Sequence, residues 1–191
     1  MTACRELEQE FGLRNSAEMQ GRELGAELKK VDASAGDVRH QVGSTLKTVL
    51  AGYRFQTFGE YSALLSTLNI EAKLVRGEYG GRPYTGIVYA ATDDNGKVAS
   101  PPFKSSRFGK RFGKEGLDRR MLVHAKDFRE GRWAPSIQRQ VAEAMRNARS
   151  REELVRMLDR RHIGVVFREN ASGRIYGVTF IDRDRREVFN G

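Results

Sequence analysis

Thr57-Phe58-Gly59-Glu60 and Ser150-Arg151-Glu152-Glu153 spell the same capping box, S/T-x-x-E. In such a box the hydroxyl accepts from the third following amide and the glutamate reaches back to the cap, which fixes where a helix begins. Each box opens a short amphipathic stretch that runs into β-branched residues. Thr57 and Ser150, Glu60 and Glu153, Leu65 and Leu158, and Ile70 and Ile163 all stand 93 positions apart. After a two-residue slip, Gly86-Ile87-Val88-Tyr89 aligns with Gly177-Val178-Thr179-Phe180. The pattern predicts an α+β fold: a tandem repeat of a helix-helix-three-stranded antiparallel meander unit, preceded by an N-terminal helical lead-in.

Working outward from the boxes gives the organisation. Residues 1–36 read as the lead-in, two helices over residues 1–31 broken at Gly12-Leu13-Arg14-Asn15 and then a loop from Asp32 to Gly36, with Leu24, Leu28 and Val31 forming a stripe too narrow for a core of its own. Residues 37–115 form the first repeat. Its opening helix is marked by Val38, Val42, Leu46, Val49, Leu50 and Tyr53 at helical spacing. Strands follow at Ile70 to Val75 and Thr85 to Ala91 around a glycine-rich turn at Gly77 to Gly81, and Asp93-Asp94-Asn95-Gly96 is expected to close a type I′ hairpin. Residues 116–135 read as a charged linker containing Met121-Leu122-Val123 and the only tryptophan, Trp133. Residues 136–191 form the second repeat, with Ser136 as its first helix cap and strands at Ile163 to Phe167 and Tyr176 to Ile181. The first repeat runs on from Phe103 into Ser106-Arg107-Phe108-Gly109-Lys110, whereas the second reads Phe189-Asn190-Gly191. The second repeat is therefore expected to be truncated, and the chain a piece of a longer protein.

Charge narrows the function. The 191 residues carry a formal net charge of +9. Between Lys104 and Arg161 stand 17 Lys and Arg against 8 Asp and Glu, so the whole excess lies in one continuous segment. That clustering is the electrostatic footprint of a polyanion-binding surface, nucleic acid above all; a solvated, solubilising face is the alternative. The apolar runs are too short to span a bilayer, which gives no membrane partner. A single cysteine, Cys4, permits no internal disulfide and fits a reducing, cytoplasmic compartment.

The catalytic search returns no constellation. His40, His124 and His162 form no ligand-spaced pair, and neither a nucleophile elbow nor a phosphate-binding loop occurs, so no catalytic residue and no cofactor is assigned to this chain. Chemistry concentrates where cations alternate with Phe103, Phe108 and Phe112. Lys104, Ser106, Arg107, Lys110, Arg111, Lys114, Arg119 and Arg120 are the candidate nucleic-acid-contacting residues. Ser105 or Ser106 is expected to cap a short helix there, whose phenylalanines either meet bases or dock the helix on the sheet.

The order of these features resembles the region downstream of the nuclease domain in the relaxases that mobilise plasmids and transposons, most closely those of Bacteroides-type mobile elements. The resemblance rests on Arg5-Glu6-Leu7-Glu8-Gln9-Glu10-Phe11-Gly12-Leu13, Ser106-Arg107-Phe108-Gly109-Lys110, His162-Ile163-Gly164-Val165-Val166-Phe167 and Gly173-Arg174-Ile175-Tyr176-Gly177-Val178-Thr179-Phe180. It implies a parent enzyme that nicks DNA with a tyrosine and a divalent metal, both held upstream of Met1. For this chain it implies a non-catalytic, DNA-contacting role in conjugative transfer, or a docking module for accessory mobilisation or secretion-coupling proteins. Transfer-origin or transferred-strand DNA would be the partner in the first case.

Overall fold

Helix α1 (Val38–Gly52) buries Val42, Leu46, Val49 and Leu50, a stripe at helical spacing, and Tyr53 ends it in extended backbone. The computed structural model describes residues 28–131, 137–170 and 172–191. Helix α2 (Phe58–Ser66) begins at the first capping box: Thr57 Oγ1 accepts from Glu60 N at 3.1 Å, and Glu60 Oε2 accepts from Thr57 N at 3.2 Å. A left-handed Asn69, with φ of 59°, turns the chain into β1 (Ile70–Tyr79). β1 pairs antiparallel with β2 (Arg82–Ala91) from Ile70–Ala91 to Tyr79–Arg82, and β3 (Phe103–Lys104) adds to the other edge of β2.

Helix α3 (Lys114–Arg129) then leads towards α4 (Gln138–Asn147) and α5 (Arg151–Asp159). At α5 the second box forms with a variation: Ser150 Oγ accepts from Glu153 N at 3.1 Å, while Glu153 Oε2 accepts from Arg149 N at 2.8 Å. A left-handed His162, φ 58°, precedes β4 (Ile163–Glu169), as Asn69 precedes β1. β4, β5 (Ile175–Asp182) and β6 (Glu187–Asn190) form a second three-stranded antiparallel sheet.

The second sheet has apolar side chains on both faces, and that joins the two halves. Phe180, Phe189 and Ile163 pack with Ile137, Val141, Ala144 and Leu158. Their strand neighbours Ile181 and Val188 point the other way, into the core built on α1, α2 and the first sheet. At the edge, Arg54 N donates to Arg186 O at 2.9 Å and Val188 N to Arg54 O at 3.0 Å, so β6 is paired on that side by the chain between α1 and α2. Asn190 N donates to Glu60 Oε1 and Asn190 Nδ2 to Thr57 Oγ1, both at 3.2 Å. Glu60 is 3% exposed, and burial pushes its carboxyl up despite the amides of Gln56, Thr57 and Asn190 and the charge of Arg168.

Three expectations need correction. Residues 116–129, read as charged linker, belong to α3; its inward stripe is Leu117, Met121, His124 and Phe128, and Leu117 is fully buried. The run Met121-Leu122-Val123 misled because Leu122 and Val123 face outward, 65% and 57% exposed. The mirror-image turn lies at Gly80-Gly81, φ 57° and 74°, between strands that run further than their apolar cores. At Asp93 to Gly96 only Gly96 has positive φ; the Asp93 carboxylate accepts from Asn95 N and Lys97 N and holds a different turn. Finally, residues 28–31, read as the end of the second lead-in helix, are not helical, and Val31 N donates to Leu68 O at 3.0 Å. The lead-in before Leu28, the cap at Ser136 and Trp133 lie outside the described residues.

Candidate nucleic-acid interface

The basic segment leaves β3 as two 3₁₀ turns, Ser105–Arg107 and Lys110–Phe112, in place of the expected capped helix. Gly109 between them has φ of 114°, a conformation that stops helix propagation, and neither serine caps through its side chain. The two phenylalanines resolve the open alternative in favour of docking. Phe112 is 1% exposed, and Phe108 packs edge-on to Tyr89, Phe103 and Phe112 with ring centroids 5.9, 6.1 and 6.5 Å away. Phe112 is not free to stack on a base, and Phe108 is half-buried.

Two further contacts fix the backbone. Tyr89 Oη donates to Phe112 O at 2.7 Å and lies 3.3 Å from Tyr61 Oη; burial holds both phenols above their ordinary range. Gly116 on α3 sits against the second turn so closely that a methyl there would lie 2.6 Å from Arg111 Cα and from the carbonyl oxygens of Lys110 and Arg111. Tyr89→Phe is expected to cost about 1–3 kcal/mol, because it strands the buried Phe112 carbonyl and Tyr61 hydroxyl. A denaturant titration checks this, and an unchanged midpoint would mean that the bond holds nothing in place.

On this platform the predicted residues separate. Lys104, Ser106, Arg107, Lys110, Arg111 and Arg119 are exposed. Arg111 keeps its guanidinium 5.0 Å from the Phe112 ring centre. Lys114 is half-buried and bonded to Asp118 one turn along α3, so its charge is locally answered. Arg120 turns inward beside Tyr61; burial lowers its pKa, and the neighbouring Arg111 adds to the effect. Arg107 instead joins α1: with Arg39, His40, Ser44 and Lys47 it lines a groove of about 350 Å³, floored by Gly43 and Phe108, with Asp37 as its single acidic wall residue. These α1 residues escaped the sequence reading, although His40, Ser44 and Lys47 occupy one helix face at i, i+4 and i+7.

His124 belongs to the scaffold. Its Nδ1 lies 2.9 Å from Phe55 O and 3.2 Å from Phe55 N, and its ring meets Phe55 edge-on at 5.7 Å. Burial depresses its pKa below 6.5, helped by Arg120 and Arg54 and opposed by the Phe55 carbonyl and Asp127. The unfolded chain therefore binds this proton more readily than the folded one. Stability from this group is complete above pH 6.5 and is lost as pH falls through the lower folded value. His124→Asn is expected to flatten stability against pH in the window just below 6.5; parallel curves for the two proteins would assign the slope elsewhere.

Among the described residues no three His, Cys, Asp or Glu side chains group as a metal site, and no helix is long and apolar enough to cross a membrane. The site is a cationic surface carried on a closely packed backbone. No family model matches the chain, and neither a curated protein nor a solved structure matches it.

Proposed function

We propose that this chain is a non-catalytic DNA-contacting region of a mobilisation relaxase, acting in the cytoplasm during conjugative transfer and holding origin-proximal or transferred DNA near a nuclease domain elsewhere in the parent protein. One observation carries the DNA contact: Arg107, on a segment pinned by Phe108 and Phe112, shares a groove with Arg39, His40 and Lys47. Cations on a preorganised backbone bind phosphates with little ordering cost. Because Phe112 is buried and Phe108 packs among Tyr89, Phe103 and Phe112, recognition runs mainly through phosphates, so it is tolerant of sequence. The relaxase assignment itself rests on the sequence resemblance.

In the same reading the two halves are copies of one unit. Helices α2 and α5 start and stop 93 positions apart, and so do left-handed Asn69 and His162 and the first strand residues Ile70 and Ile163. Fluorescence anisotropy with single- and double-stranded oligonucleotides over a salt series tests the DNA contact. Engaging about four phosphates gives a log–log slope near −3 to −4, at ~0.7 to 0.9 per contact. A slope near zero, or no binding at low salt, would remove the reading.

A further inference from the structure

Alternation along the first sheet divides its side chains between two faces. Ile87, Tyr89 and Ala91 of β2 are buried in the core, which places Tyr84, Gly86 and Val88 on the outer face. The register carries that face across all three strands: Gly77 of β1 stands opposite Tyr84, Val75 opposite Gly86, and Lys73 and Lys104 flank Val88 on either side. Tyr84 is 52% exposed; among the phenylalanine and tyrosine side chains described, only Tyr84 and Tyr176 are exposed. The Tyr84 ring lies across two glycines. A methyl on Gly77 would be 2.7 Å from its Cε1, Cζ and Oη, and one on Gly86 would be 3.7 Å from its Cε2. Glycine weakens a strand interior and often marks a place where another group approaches closely. Here it lets the ring lie low on the ribbon, one side against the backbone and the other turned outward.

Charge on this face is one-sided. Arg82, two residues before Tyr84 on the same strand, and Lys104 are exposed, and exposed Lys73 pairs with Glu71 at 2.8 Å. Glu71 is the only carboxylate at an outer-face position of β1, β2 or β3. Lys104 leads directly into the first basic turn, Ser105–Arg107, so the face runs on into the cationic surface. From Val88, beside Lys104, back to Tyr84 is about 14 Å along β2 at ~3.4 Å per residue. A stacked strand of about four nucleotides covers that distance at the same ~3.4 Å rise.

We propose that the outer face of the first sheet receives the bases of single-stranded DNA, Tyr84 stacking on one of them while the phosphates of the same strand lie on the basic turns. The inference rests on the DNA-contact reading and narrows its ligand to an unpaired strand. Bases in a duplex stack on one another and present only their edges in the grooves, so a ring lying flat on a sheet meets no base face there. An unpaired strand offers such a face at each nucleotide. Stacking of this kind is tolerant of base identity, as is the phosphate contact it accompanies. Shielding the Gly77 backbone is the other role open to Tyr84, and a leucine would fill it as well.

The test compares wild type, Tyr84→Leu and Tyr84→Phe as whole chains, by fluorescence anisotropy with a labelled single-stranded oligonucleotide and with the duplex of the same sequence. Tyr84→Leu is expected to weaken single-strand binding at least about fivefold, the smaller end of what one base–aromatic stack contributes. Duplex binding and the log–log salt slope are expected to stay unchanged, because stacking neutralises no phosphate. Tyr84→Phe keeps the ring face and is expected to bind as wild type does. Tyr176→Leu, at the exposed ring of the second sheet, is expected to change nothing. Circular dichroism verifies the fold of each variant. A strand carrying 5-iodouracil gives a direct readout: on irradiation it is expected to crosslink to the peptide that contains Tyr84. Equal single-strand binding by wild type and Tyr84→Leu, an equal loss on duplex or in Tyr176→Leu, or crosslinks confined to other peptides would overturn the proposal and leave the phosphate contact standing. A wild-type chain that binds neither form at low salt would remove the DNA reading and this inference with it.

Discussion

Phe112→Ala is expected to destabilise the protein by about 3–5 kcal/mol, the usual cost of emptying a fully buried aromatic site. Phe112 is 1% exposed, touches Phe108, and lies where Tyr89 ties the second 3₁₀ turn to the core. The cavity would open beneath the cations, so the loss is expected in two readouts together. The urea midpoint falls, and DNA affinity falls further than the folded fraction alone explains, because Lys110 and Arg111 lose their fixed positions. Phe103→Ala is the comparison: Phe103 is only half-buried, at the sheet edge, and is expected to cost less. If Phe112→Ala unfolds no earlier than wild type, the segment is not part of the core. If affinity tracks only the folded fraction, the turns do not position the cations.

How much of this was legible in the sequence varies with the range of the interactions involved. Both capping boxes form because their hydrogen bonds connect residues three or four apart, and a short motif contains everything they need. The stripe of α1 is equally local. Helix α3 was missed because its core contact is one narrow stripe through Leu117, and a contiguous apolar run nearby pointed to the wrong face. The dual-faced second sheet also escaped. Alternation along β5 and β6 announces two packed faces only once the first half is known to lie against one of them, through Arg54 and Glu60. The edge strand β6 is thus met by a partner 130 residues away in the chain, where Asn190 N donates to Glu60.

The candidate site divides along the same line. The cation-and-phenylalanine order of residues 103–114 is visible in the sequence, whereas the docking of its rings emerges only from the two turns and their packing on Tyr89. The contribution of α1 is not visible there, because Lys47 and Arg107 are brought to one groove only by the packing of Phe108 on Gly43. Helix propensity gives no warning of such an approach. The same packing withdraws two residues that looked equivalent in sequence, Lys114 and Arg120, by giving one a carboxylate and the other a buried tyrosine as neighbour.

The largest functional effect is therefore expected from a set of four chosen on geometry. Lys47, Arg107, Lys110 and Arg111 are changed together to glutamine, which keeps length and polarity and removes charge. Lys47 and Arg107 line the groove between α1 and the basic turns, and Arg107, Lys110 and Arg111 are exposed on those turns. Removing about four phosphate contacts is expected to bring the log–log salt slope close to zero. It would also abolish the roughly 10²-fold change in affinity that four contacts give between about 50 and 200 mM salt. Tm is expected to stay within a few degrees, since none of the four is buried or holds a core hydrogen bond among those described. Lys114→Gln is the matched control: its charge is already answered by Asp118, so the slope is expected to shift by less than one unit of contact. A quadruple variant that binds DNA with an undiminished slope would move the phosphate-binding surface off this face altogether. A Lys114→Gln protein that loses as much as the quadruple variant would mean that the ion pair with Asp118 opens when DNA arrives, and that α3 belongs to the interface as much as the turns before it.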